Sequence, residues 1–347
     1  MRILYGVQGT GNGHLTRALA MATAFESCPE LKVDFLLSGR KRAKLFGVDA
    51  LGDFSWRAGL SFATRGGRVS IRDTLSQNPW WRFWQDVHEL DLSGYDLVVT
   101  DFEPVSAWAA RRQGVRCIGL GRQYAFWQGH HALPVNPLQR AMIRQFAPCD
   151  EALGTHWSPL NSSTLPPLIA PVGELGSAQS KRYLVYLPFE PLADIDVLLQ
   201  ALPEYQFDVF HPEATPRVTA NATYFAPSRE GFRHAFSKAE GIIANAGFGT
   251  SSEALASGKK LLVKPLQGQF EQVANAHCLQ HEGLAGVCQH LEPERVHRWI
   301  QSPSHARLQW PDVSQHVAKW IATGAKTPVA HLSQQLWQQS GLQRQTA

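Results

Sequence analysis

Short apolar runs separated by helical stretches recur in two series along this chain, and that alternation admits few folds. In the first series, Arg2–Val7, Val33–Leu37, Asp96–Thr100 and Val115–Gly119 read as buried strands, with helices predicted over His14–Glu26 and Pro104–Gln113. In the second, Tyr183–Leu187, Gln206–Phe210, Gly241–Asn245 and Lys260–Lys264 read as strands, and Asp194–Leu202, Arg229–Lys238, Ser251–Ser257 and Phe270–Glu282 as helices. Apolar strands that alternate with helices indicate parallel sheets built from βαβ units. Between the series, Ser162–Arg182 is rich in Pro, Ser and Gly and lacks apolar periodicity, so it reads as a linker. At 347 residues, each half is large enough for its own core. The expected division is 1–165, a linker at 166–182, a second domain at 183–325 and a terminal helix at 326–347. Ligands of such sheets bind outside the carboxyl ends of the strands, so a cleft between the two domains is the expected site.

Composition excludes several classes. Hydrophobic residues make up 44% and charged residues 18%, a globular balance rather than a disordered one. The net charge of +4 lies in the first half, with nine basic and three acidic residues between Arg40 and Arg82. That excess is too weak for a nucleic-acid binder and reads first as a solvated face. No run of about 18 apolar residues exists to span a membrane. The apolar run at the N-terminus breaks at glycines and is too short for a signal peptide. Five cysteines without CxxC spacing fit free thiols in a cytoplasmic protein.

The first strand ends in Gly9-Thr10-Gly11-Asn12-Gly13-His14. A dinucleotide GxGxxG register puts His14 or Thr16 where the third glycine belongs, and Leu37-Ser38-Gly39-Arg40 offers no acid for a ribose. What remains is a turn that lets backbone approach a ligand and presents His14 at a helix N-terminus, where the dipole disfavours imidazolium. A neutral imidazole there is a candidate general base; a capping or packing histidine is the alternative. The strand Gly241–Asn245 runs into Ala246-Gly247-Phe248-Gly249-Thr250-Ser251-Ser252-Glu253. Its glycines allow close approach, and Thr250 or Ser251 is expected to cap the following helix. Free amides there suit a diphosphate. Glu253, expected on the first turn, could accept hydrogen bonds from both ribose hydroxyls or merely complement the dipole. Further on, Glu271 and Gln272 sit side by side at a helix start, where an acid and an amide can bind vicinal sugar hydroxyls.

These residues carry a family likeness. Asn245 to Glu253, then Pro265 and Glu271-Gln272 with Asn275-Ala276, resemble the donor signature of GT-B glycosyltransferases that use nucleoside-diphosphate sugars. Plant-type glucosyltransferases write it HCGWNSxxE, then P and [DE]QxxNA; here Asn245 replaces the initial His, Gly247 and Glu253 match, and Phe248 is conservative. The turn Gly9–His14 resembles that of the peptidoglycan enzyme that adds N-acetylglucosamine to lipid I, and Asp96–Gly119 resembles the acceptor-domain strand–helix–strand of both groups. The whole chain is most similar to a bacterial and archaeal branch related to the lipid I enzyme.

The resemblance implies an α/β GT-B fold, two Rossmann-like domains with parallel sheets facing each other across a cleft. By position it implies His14 as base and Asp101 as its orienting carboxylate. It assigns Gly11, Gly13, Asn245, Gly247, Phe248, Gly249, Thr250, Ser251, Glu253, Glu271 and Gln272 to the nucleotide sugar. Where the lipid I enzyme has a Gly-Gly-Ser loop on phosphate, this chain has Glu190, so that contact is not carried over. The implied reaction moves a sugar from a nucleoside-diphosphate sugar, UDP by resemblance, to an acceptor hydroxyl, inverting and without metal. UDP-sugar is then a substrate, and no cofactor is expected. The acceptor is unknown; a lipid-linked or cell-surface glycan fits, with at most peripheral membrane contact at the inner face and no nucleic acid. The aromatic segment Pro79–Trp84, with Trp81 and Trp84, and Glu103, also the next candidate should His14 and Asp101 not pair, are acceptor-side candidates, with Arg65, Arg68 and Arg72 to meet charge. A packed core segment is the plainer reading of those tryptophans. A hydrolase or 2-epimerase on the same fold, or a non-catalytic nucleotide-sugar sensor, remain alternatives. Asp194-Ile195-Asp196 spells a DxD metal motif, but carboxylates at a helix start need no metal.

Overall fold

The structure, a computed structural model, describes residues 1–45, 47–61, 64–65, 68–69, 76, 78–128, 133–170, 178–303 and 307–341. Up to residue 170 the elements are β1 (Arg2–Gln8), α1 (Asn12–Glu26), β2 (Lys32–Ser38), β3 (Phe54–Trp56), a ribbon of β4 (Thr64–Arg65) and β5 (Arg68–Val69), α2 (Trp80–Glu89), β6 (Leu97–Asp101), α3 (Pro104–Gln113), β7 (Cys117–Gly121), α4 (Arg122–Gln128), α5 (Pro137–Phe146), β8 (Glu151–Thr155) and β9 (Thr164–Leu165). Then follow β10 (Arg182–Tyr186), α6 (Leu192–Gln200), β11 (Gln206–Phe210), β12 (Arg217–Val218), β13 (Ala222–Phe225), α7 (Arg229–Lys238), β14 (Gly241–Asn245), α8 (Phe248–Ala256), β15 (Lys260–Lys264), α9 (Phe270–His281), β16 (Gly286–Val287), α10 (Pro293–Gln301), α11 (Val313–Ala322) and α12 (Val329–Gln339).

The chain forms two compact units. One comprises Met1–Arg65, Val69–Pro171 and Gln309–Ala347; the other is centred on Val172–Leu308. The first holds a wholly parallel sheet in the order β3-β2-β1-β6-β7-β8-β9. Its strands are buried on both faces: Ile3, Tyr5 and Val7 point into one core and Leu4 into the other. The first core takes Ala18, Met21 and Phe25 from α1; the second takes Phe83 and Val87 from α2 and Val105 and Ala109 from α3. That double covering is why these strands read as continuous apolar runs.

The second sheet runs β12-β13-β11-β10-β14-β15-β16, parallel except for the short edge pair β12–β13. Tyr183, Val185, Val209, Ile243 and Leu262 from its strands pack with Trp299 and Ile300 of α10. Among the described residues, no helix is long and apolar enough to cross a membrane.

The division differs from the expected one at the C-terminus. Residues 309–325 join the first unit rather than ending the second. The cause is apolar burial: Val317 and Ile321 of α11 and Leu336 of α12, all 0% exposed, pack into the core that α1 lines. Each such side chain is worth about 1.5–3 kcal/mol when fully buried. Ser333 Oγ and Trp337 Nε1 both donate to the Thr164 carbonyl on the edge strand β9, so the residues just before the linker are held by the last helix.

Candidate functional site

In the first sheet the strand order reverses between β1 and β6, and crevices at such switch points are where open α/β sheets bind ligands. The register sets Val7 against Asp101, so both strands end level there. Helix α1 starts just beyond β1 with Gly11 as N-cap, which has no side chain to cap it, and His14 lies on its first turn. His14 Nδ1 is 2.7 Å from Asp101 Oδ1. His14 is 8% exposed and Asp101 0%.

A third residue completes the cluster. Arg17, one turn on from His14 and 5% exposed, donates from Nε to Asp101 Oδ2 at 3.0 Å and from Nη2 to Oδ1 at 2.6 Å. The same Nη2 is 2.8 Å from His14 Nδ1. Burial by itself would push the Asp101 carboxyl up, but Arg17 and then His14 outweigh it and hold it below the ordinary carboxylate range. The carboxylate 2.7 Å from Nδ1 favours a proton on that nitrogen over an unprotonated Nδ1 that accepts from Arg17, and that tautomer leaves the Nε2 lone pair facing away from Asp101. Gln123 Nε2 lies 3.4 Å from Nε2. Gly121, at φ +142°, closes the site from β7; a Cβ there would sit 3.0 Å from Asp101 Oδ1 and 3.3 Å from Arg17 Nη2.

The turn after Asp101 is strained. Phe102 is left-handed at φ +57°, a conformation that costs a non-glycine residue about 1–2 kcal/mol. Its ring is buried, stacked on Phe146 at 4.8 Å. The Thr100 hydroxyl clamps the turn, donating to the Glu103 carbonyl and accepting from its amide. Glu103 corrects an expectation: it is not available to an acceptor. Its carboxylate caps α3, accepting from the Val105 and Ser106 amides at 2.8 and 2.7 Å and from Ser38 Oγ at 2.6 Å. At 0% exposure, burial still pushes its carboxyl above the usual range.

Trp81 and Trp84 lie on α2 and are 72% and 42% exposed, so they do not fill the core as the plainer reading held. Trp84 meets Trp108 edge-on at 5.3 Å. The side chains of Arg65 and Arg68, and all of Arg72, lie outside the described residues.

In the second unit the switch falls between β10 and β14. Helix α8 begins there at Phe248 with Gly247 as N-cap, earlier than predicted, so neither Thr250 nor Ser251 caps it. A Cβ on Gly247 would meet nothing within 4 Å, so the turn is open to a close neighbour. Gly249 and Thr250 are half-buried within the first turn. Ser251 is fully buried, and its hydroxyl has no partner among the described residues. The early start puts Glu253 on the second turn rather than the first. Glu253 is half-buried; burial pushes its carboxyl up, and Arg233 and Arg229 of α7 pull it partly back.

Glu190, the residue out of place for a diphosphate, is neutralised. Lys264 Nζ lies 2.7 Å from its carboxylate, and Asn245 Nδ2 donates to it at 3.3 Å. Asn245 also donates to the Lys264 carbonyl, so the residue standing in for the family's initial His is tied into this cluster. Gln272 is buried and its Oε1 accepts from the Leu266 amide, so that oxygen shapes its own loop rather than facing a sugar. Glu271, in the first turn of α9, is half-buried. Asn275 fixes α9 to the glycine turn through the Ala246 carbonyl at 3.0 Å. Both carboxylate oxygens of Asp196, in the DxD run, accept from Arg217 Nη2, at 2.7 and 2.6 Å.

Arg17 was not among the expected site residues, although its spacing three residues after His14, just before the apolar run Ala18–Ala22, was a signal. Gln123 carried none, since nothing local marks it.

Comparison with known proteins supplies the family. A glycosyl transferase family 1 model matches residues 1–302. No curated protein matches the chain. Among solved structures, the glycosyltransferase SnogD from Streptomyces nogalater superposes with a TM-score of 0.57 at 16% identity, covering 97% of this chain and 99% of that one. MurG from Acinetobacter baumannii gives 0.56 at 16% identity, covering 97% and 100%. SsfS6 from Streptomyces sp. SF2575, complexed with thymidine diphosphate, gives 0.59 at 14%, covering 97% and 99%. At these identities the likeness shows the fold, which is GT-B. With a family match over most of the chain and two parallel-sheet units of that fold, this protein belongs to glycosyl transferase family 1 and is a glycosyltransferase.

Proposed function

We propose that the protein transfers a sugar from a nucleoside-diphosphate sugar, UDP being the nucleotide, to an acceptor hydroxyl, with inversion at the anomeric carbon and without a divalent metal. The observation that carries this reading is the buried His14–Asp101 pair at the switch point of the first sheet. His14 Nε2 takes the proton of the acceptor hydroxyl as its oxygen bonds to the anomeric carbon. The bond from that carbon to the phosphate oxygen breaks, and the nucleoside diphosphate leaves with the electron pair. Asp101, held ionised, steadies the imidazolium that forms.

The second unit takes the donor. The open glycine turn before α8 and the dipole of that helix suit the departing diphosphate in place of a metal. Glu253 receives the ribose hydroxyls and Glu271 the donor sugar. That SsfS6 is complexed with thymidine diphosphate, and another solved structure of the same fold, LpCGTa (TM-score 0.58, 14% identity), with UDP, supports a nucleoside diphosphate as the ligand. Exposed Trp81 and Trp84 form the acceptor side, suited to a lipid-linked or glycan acceptor with no more than peripheral membrane contact.

Incubation with a panel of nucleotide sugars and acceptors, followed by NMR of the product's anomeric centre, tests the reading. Transfer with inverted configuration supports it. Free sugar formed equally with and without acceptor would make the protein a hydrolase instead.

A further inference from the structure

Resting on His14 as base, we propose that Arg17 is a positioning residue for it: by bridging both oxygens of Asp101 it fixes the carboxylate and, through it, the tautomer of His14. Three atoms make a tight triangle. Asp101 Oδ1 is 2.7 Å from His14 Nδ1 and 2.6 Å from Arg17 Nη2, and the two nitrogens are 2.8 Å apart. Arg17 can only donate. If Nδ1 carried no proton, Nη2 could donate one of its two protons to each acceptor, but the Nδ1 lone pair would face the lone pairs of the carboxylate across 2.7 Å. If Nδ1 is protonated, Oδ1 accepts from both nitrogens in two charge-assisted bonds, which are the stronger kind. The second anchor, Nε to Oδ2 at 3.0 Å, stops the carboxylate from rotating. An Asp held at one oxygen only could swing away and leave Nδ1 to accept from Arg17, which would put the proton on Nε2 and disable the base.

The guanidinium also sets a charge condition. A proton added to the ring at rest would create a second cation 2.8 Å from Arg17. The other groups near the cluster are neutral or already committed: Tyr5 from β1 and Tyr124 from α4, both fully buried with phenols pushed well above the ordinary value, and the Gln123 amide. Arg17 is therefore the single cation among the described residues seen to face Asp101 and His14 together.

The test compares wild type with Arg17→Met and Arg17→Lys. Long-range ¹H–¹⁵N NMR of the imidazoles, with His14→Gln to assign the signal, reads the tautomer without turnover. Wild type should show Nδ1 protonated and Nε2 bare; Arg17→Met should show a mixed or reversed pattern. Its kcat should fall about 10- to 100-fold, as for other small displacements of a reacting group, with donor KM unchanged and the acid limb of the activity profile moved to higher pH. Arg17→Lys keeps the charge but cannot bridge both oxygens, so it should keep more of the acid limb than of the tautomer, and it serves where Arg17→Met does not fold. An unaltered tautomer and pH profile in a folded variant would overturn the proposal and leave Arg17 a structural ion pair. If wild type transfers no sugar at all, the base reading falls, while the NMR comparison still decides what Arg17 does to His14.

Discussion

Eighty-seven residues of chain separate His14 from Asp101, yet Nδ1 of one and Oδ1 of the other lie 2.7 Å apart. The β1–β6 register, which pairs Val7 with Asp101, brings them level, and the strained Phe102 turn leads the chain away behind Asp101. Asp101→Asn keeps the shape but cannot hold the Nδ1–H tautomer in the same way. We expect kcat to fall about 10²–10⁴-fold, the range between losing general-base help and losing a triad carboxylate. Donor affinity, measured by calorimetry, should stay within about threefold.

The same carboxyl makes stability depend on acid. Its folded value lies below its unfolded one, so it contributes stability that is fully present above the unfolded value of about 4 and is lost as pH falls through the folded value. Asp101→Asn should flatten this part of the acid-unfolding curve. At neutral pH it should cost about 3–5 kcal/mol, because Arg17 is left buried without its anion. Urea titrations at several pH values check both statements.

Glu253 has the opposite sign. Burial raises its carboxyl, so the ionised form, which we propose accepts the ribose hydroxyls, is lost at a higher pH than for an ordinary glutamate. Nucleotide affinity should weaken on acidification through that raised value, and Glu253→Gln should remove the dependence. Glu253→Ala should weaken UDP binding about 10- to 100-fold, for one or two lost charge-assisted bonds of about 1.5–3 kcal/mol each before water compensates. Calorimetric titration reads all three, and unchanged affinity for every nucleotide tried would remove Glu253 from the site.

Exposure separates the two tryptophans. Trp81→Ala should leave Tm almost unchanged, since the ring is 72% exposed. Trp84→Ala should cost about 0.5–1.5 kcal/mol for its edge contact with Trp108. If they serve the acceptor, the double variant raises acceptor KM and spares donor binding. A double variant with wild-type acceptor KM would move the acceptor site elsewhere.

Activity should survive EDTA. Asp196 is already paired with Arg217, which leaves the DxD run short of a ligand. Activity abolished by EDTA and restored by Mg²⁺ or Mn²⁺ would restore Asp194 and Asp196 as metal ligands.

Sequence reading was strong where local chemistry decides the outcome. The strands Gln206–Phe210, Gly241–Asn245 and Lys260–Lys264 and the helices at Pro104–Gln113 and Arg229–Lys238 have the expected bounds, because apolar runs, Pro at a helix start and a Ser cap are local signals. It was weaker where distant contacts decide. The start of α8 was set three residues late, because a Thr or Ser cap was expected and the bare Gly247 serves. Helix α11 looked like the end of the second domain, since only its packing beside α1 shows where it belongs. Glu103 looked like a spare acid next to Asp101, but the left-handed Phe102 turns it back into α3. Arg17 went unmarked because its partner lies 84 residues away.

The proposed chemistry turns on His14, which deprotonates an acceptor for attack on a nucleotide sugar. The most direct measurement is a time course of nucleoside diphosphate release and sugar conjugate formation by wild type and His14→Ala at equal donor saturation. We predict conjugate and diphosphate in equal amounts from wild type. His14→Ala should still bind the donor but form conjugate at least about 10²-fold more slowly. Wild-type rates in a folded His14→Ala variant would show that His14 is not the base.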